Sequence, residues 1–199
     1  MALSKKALQA KREKKKKKRQ IKAPTSSLST AIAYHHWPIH ECWIPVELWD
    51  KGMGQVIIAR KNSQGDIAVG AYLLDVYCLG VKDCFIRLTN SYDYQNILQQ
   101  LSELCGEFEL AEPSYVNTLI LKAVEYADQL GFKPQGDFVK AKNFLKGIPV
   151  DDNQTFIFGQ DGKPCYVQGI IESHADVKRI LKTLELNQGA GNYTVIAEL

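Results

Sequence analysis

The sequence predicts an α+β fold: an antiparallel β meander, then helices, then a second hairpin, a helix and a C-terminal strand. Three observations carry that reading. Residues 54–90 are β-branched and apolar runs broken by a Gly-containing turn. Residues 91–148 place their apolar side chains at helical spacing. The strand and helix patterns are grouped along the chain and do not alternate, which separates α+β from α/β. No internal repeat is present.

Taken in order, the stretch AYHHWPIHECWIPVELWDKGMG reads as irregular and aromatic-rich, because Pro38 and Pro45 argue against a long helix. A helical turn at Val46–Trp49 follows Pro45. GQVIIARKN (54–62), the turn SQGD and IAVGAYLLDVYCLGV (67–81) form the first hairpin, and KDCFIRLTN (82–90) is the third strand, reached at Gly80. A helix over 91–108 has Ile97, Leu98, Leu101, Leu104 and Cys105 on one side and Gly106 near its stop. The clearest helix is 113–132, with Val116, Leu119, Ile120, Ala123, Val124 and Ala127 in one stripe and Gly131 ending it. DFVKAKNFLKGI is a shorter helix, TFIFGQDGKPCYVQGI a hairpin about GQDG, and SHADVKRILKTLEL a helix capped by Ser173. NYTVIAEL closes the chain as a strand.

Charge divides the chain more sharply than any of these elements. Of its 25 Lys and Arg, eleven lie in residues 1–22 against Glu13 alone, a balance of +10. The other 14 stand against the remaining 21 Asp and Glu, a balance of −7. Residues 1–22 therefore read as a basic nucleic-acid-binding tail, 23–30 (APTSSLST) as a linker and 31–199 as one α+β domain. Within the tail, Lys11, Arg12, Lys14, Lys15, Lys16, Lys17, Lys18, Arg19 and Lys22 are the expected phosphate contacts, since lysines gain affinity by displacing condensed counterions whatever the base sequence. No apolar run reaches the length of a membrane span, and the N-terminus lacks the apolar core of an export signal, so a cytoplasmic protein with no membrane partner is expected. The five cysteines are odd in number and scattered, which fits reduced thiols.

Two stretches are candidates for chemistry. YHHWPIHEC places His36, His40 and Cys42 close together, and His40 and Cys42, two apart in an extended segment, point to the same side. A zinc ion would accept them with a further thiol such as Cys78 or Cys84. Trp37, Trp43 and Trp49 nearby make the same segment a surface for stacking on bases. LDVYCLGVKDC puts Asp75 in the middle of an apolar strand, where a carboxylate is costly unless paired. Asp75 and Asp83, with Glu125 and Asp137, would hold Mg²⁺ in a metal-dependent nuclease or hydrolase. Cys78 as a nucleophile needs an exposed thiol of low pKa, and an apolar strand is the wrong place for one. FGQDGKP lacks the ending of a phosphate loop and reads as a turn.

Three motifs, DVYCLGVKD (75–83), YADQLGFKPQGD (126–137) and FGQDGKPCY (158–166), resemble those of an uncharacterised family of small bacterial proteins. The resemblance covers about residues 34–170. It implies one compact domain and carries no catalytic role. The function expected is thus non-enzymatic: the tail binds nucleic acid, and the acidic body meets a protein or RNA partner, as in a ribonucleoprotein assembly. No cofactor is expected, Mg²⁺ or Zn²⁺ belonging to the alternatives.

Overall fold

A computed structural model describes residues 33–134, 137–169 and 172–197. The basic residues Lys11 to Lys22 and the linker 23–30 lie outside the described residues. The body is α+β. Its main sheet has five antiparallel strands: β1 (Ile39–Pro45), β2 (Met53–Lys61), β3 (Ile67–Asp75), β4 (Gly80–Thr89) and β5 (Phe108–Leu110), in the order β4-β3-β2-β1-β5.

Strands β2 and β3 are central and buried on both faces, which explains their unbroken apolar sequence. Val56, Ile58, Ala68, Tyr72 and Leu74 point into the larger core. Ile57, Ala59, Ile67 and Val69 point into the smaller one, with Tyr94. The larger core is covered by α3 (Pro113–Gln129), whose Val116, Leu119 and Ile120 are fully buried, and by α4 (Phe138–Ala141) with the 3₁₀ turn Lys142–Leu145. The smaller core lies under α2 (Ser91–Cys105), which starts on Asn90: its side chain accepts from the Asp93 amide at 2.9 Å. A short α1 (Leu48–Lys51) joins β1 to β2.

Several boundaries differ from the sequence reading. β1 is a strand where an irregular lead-in was expected, because its two prolines sit just before it and at its last residue, where no ladder bond is lost. Helix α2 stops at Cys105: Gly106 turns to φ 94°, and the freed chain becomes the three-residue edge strand β5. Residues 67–81 are not one strand. β3 ends at Asp75, Val76–Leu79 make a turn, and Gly80 opens β4 opposite Asp75. A Cβ on Gly80, at φ 66°, would sit 2.7 Å from the Ala123 carbonyl, so only glycine lets this turn lie against α3.

The C-terminal part hangs on that turn. After a bridge Gln160–Lys163 about the GQDG turn, β6 (Cys165–Val167) pairs in parallel with β7 (Thr194–Ile196) at the chain's end. Between them α5 (His174–Gln188) carries the expected Ser173 cap, completed by Asp176 into a capping box. Ile180 and Leu184 of α5 meet Cys78, Leu130 and Tyr166 in a third cluster.

Candidate functional site

The β3–β4 turn is held by hydrogen bonds to several separate segments. Asp75 is 2 % exposed, and its Oδ1 accepts the amides of Tyr77 at 3.0 Å and Cys78 at 2.8 Å. The turn's own backbone then binds its surroundings. Val76 donates to the Gly52 carbonyl and accepts from the Gly159 amide, while the Tyr77 carbonyl accepts from the Cys165 amide and the Tyr126 hydroxyl. The Tyr77 hydroxyl reaches the carbonyls of Trp49 and Asp50. One nine-residue motif therefore fastens α1, α3 and the 159–165 loop together.

Burial raises the Asp75 carboxyl to about 6, against the pull of Lys82 and of the turn amides. Its second oxygen, Oδ2, has no hydrogen-bond partner. Lys82 is aimed by a bulge: Leu73 pairs with Asp83 and Leu74 with Val81, so Lys82 is the extra residue on β4. Its ammonium meets Glu172 Oε1 at 2.6 Å, both side chains being 14 % exposed. Glu172 Oε2 accepts from the Tyr166 hydroxyl at 2.5 Å and the Gly169 amide at 2.9 Å. Burial alone would raise Glu172, but these donors hold it below the ordinary carboxylate range. The sequence reading passed over Glu172, which falls between the FGQDGKPCY motif and the Ser173 cap and belongs to neither.

The expected carboxylate set does not assemble around Asp75. Asp83 is exposed and its Oδ1 takes the amide of its neighbour Cys84 at 2.8 Å. Asp83 and Asp137 both act on the buried Cys84 thiol, which burial pushes up to about 12, while Glu125 is exposed and paired with Lys122. Among the described residues no three His, Cys, Asp or Glu side chains are grouped as a metal ion would need. Cys78 is fully buried, and desolvation followed by the Asp75 charge pushes its thiol upward, away from the thiolate a nucleophile requires.

His40 and Cys42 were expected on one side of an extended segment. A register shift between Ile39 and Glu41 makes His40 the extra residue of a second bulge, so the two part. Cys42 enters the larger core, where burial pushes its thiol up to about 12; His40 faces the Tyr94 ring on the α2 side. His36 lies before the strand, its ring edge-on to His35. The tryptophans do not form one stacking surface either. Trp37 packs on Tyr34, Trp43 donates to the Tyr94 hydroxyl, and Trp49 stacks on Phe156.

The sequence reading passed over Arg60, which is 4 % exposed. It donates to the carbonyls of Trp37 (2.7 Å), Phe144 (3.0 and 3.2 Å) and Lys146 (2.8 Å), with its guanidinium 5.3 Å from the centre of the Phe144 ring. An Arg at the end of a strand predicted as β-branched and apolar was the one available signal. No protein family, curated protein or solved structure matches the chain.

Proposed function

We propose that this is a non-enzymatic nucleic-acid-associated protein of the cytoplasm, whose residues 1–22 bind the phosphate backbone and whose acidic body meets a protein or RNA partner. The observation that carries the reading is the division of charge, +10 on residues 1–22 and −7 on the rest. A body of net negative charge repels bare phosphate, so affinity concentrates on the basic stretch and on whatever cationic surface the body exposes. The inward-facing roles of Asp75, Cys78 and Lys82 support a body built for packing, since each has partners within the fold that account for its presence.

The test is a binding titration of the full chain and of a variant lacking residues 1–22, against single- and double-stranded RNA and DNA at two salt concentrations, with the products run on a gel. Full-length protein binds, steeply weakened by salt, and the truncated protein loses most of that affinity while the nucleic acid stays intact. Equal affinity and equal salt dependence in the two proteins defeats the reading.

A further inference from the structure

Arg60 fixes more than the interior. Its guanidinium holds the carbonyl of Trp37, in the segment that leads into β1. The same group holds the carbonyls of Phe144 and Lys146 in the turn that follows α4. Next to Arg60, the Lys61 amide donates to the Pro38 carbonyl at 3.0 Å, a second tie at the same end of the sheet. The segment before β1 and the turn at residues 138–146 are thus brought to one place by a single buried side chain.

That turn is two-sided. Phe138, Ala141, Phe144 and Leu145 are buried in the larger core, which turns Lys140, Lys142 and Lys146 outward. All three are exposed, residues 138–146 contain no acid, and no ion pair among the described residues involves these lysines. A local charge of +3 on a body of −7 is a departure from its surroundings, and it lies beside the segment that Arg60 holds at Trp37.

We infer that Lys140, Lys142 and Lys146 form the body's own contact with the sugar–phosphate backbone of a nucleic-acid strand, in addition to the contact proposed for residues 1–22. The inference rests on the proposed function. Lysines contact phosphates as point charges, so the surface selects backbone and not base sequence. Arg60 is a positioning residue here: it touches no phosphate and sets where the lysines stand relative to the segment before β1.

The experiment uses the full chain and labelled single-stranded oligouridylate or oligothymidylate, titrated at several salt concentrations. K140Q/K142Q/K146Q weakens binding by about tenfold and makes the slope of log affinity against log salt shallower by about 2, near 0.7 for each phosphate of a single strand that is no longer neutralised. A variant with the same change in net charge, K122Q/K178Q/K182Q, in helices α3 and α5, keeps the wild-type affinity and slope. If the first variant titrates like wild type, or if both variants weaken binding equally, the inference is overturned. So it is if phosphatidylserine vesicles capture the wild type and the oligonucleotides do not. K14Q/K15Q/K16Q/K17Q/K18Q separates the two readings. Loss of affinity in that variant alone keeps the proposed function and removes the lysine turn. Loss in the lysine-turn variant alone keeps the turn as a binding surface and removes the N-terminal stretch.

Discussion

Arg60 and Asp75 are buried charges at opposite ends of the same β2–β3 hairpin, and the fold treats them differently. Arg60, near the end of β2, sends three of its nitrogens to backbone carbonyls of distant segments and lies over an aromatic ring. Asp75, at the end of β3, receives two amides from its own turn on one oxygen and leaves the other without a partner. The difference follows from chemistry. A guanidinium has five donors in a rigid fork and stays charged, so the chain must wrap it in acceptors or expel it. A carboxyl can instead take up a proton, and burial moves Asp75 toward that solution. One charge organises long-range structure, whereas the other is tolerated locally.

Removing the cation tests that difference most severely. Arg60→Ala strands the carbonyls of Trp37, Phe144 and Lys146 and opens space beside Phe144, so the expected loss is about 4 kcal/mol by chemical denaturation. Arg60→Lys keeps the charge but loses the fork, and recovers less than half of that loss. Equal stability of Arg60→Ala and wild type would mean that water replaces the guanidinium at no cost, and Arg60 would then differ little from Asp75.

Lys82 comes next, because it touches both sides of the question. Lys82→Met leaves Glu172 facing Tyr166 without its cation and removes the charge that lowers Asp75. The expected loss is about 3 kcal/mol near neutral pH, reduced from a fully buried pair by the residual exposure of both groups. In the same variant the Asp75 carboxyl titrates above its wild-type value, as followed by carboxyl carbon NMR. An unmoved titration would show that burial alone sets Asp75.

How much of this was legible in the sequence depends on the range of the interaction that decides each feature. The meander, the stripe of α3 and the Ser173 cap follow from patterns within a few residues, and the structure has them. The bulges at His40 and Lys82 are decided by pairing with another strand, and a shift of one residue there changes which side chains can meet. The partner of β6 is β7, across the whole of α5, so local hairpin chemistry could not identify it. Asp75 is the costly residue that its apolar neighbours imply, but the same neighbours point to a mid-strand position. What the apolar run conceals is the turn itself: Val76, Tyr77, Cys78 and Leu79 are apolar because α3 and the C-terminal cluster close over them.

Asp75→Asn gives the smallest effect and tests the proton argument directly. The unfolded carboxyl titrates near 3.9 and the folded one at about 6, so between those values the folded chain holds a proton that the unfolded chain has released. Asp75 therefore favours the fold in acid, and that contribution is lost as the pH rises through 6. Asparagine keeps an oxygen for the amides of Tyr77 and Cys78 and never carries the buried charge. The stability of Asp75→Asn relative to wild type should improve by about 2 kcal/mol between roughly pH 4 and pH 8, whatever its absolute sign. A pH-independent difference would mean that Asp75 is ionised throughout, with Lys82 as its true counterion. The two buried charges would then be solved alike, each by a partner from elsewhere in the chain.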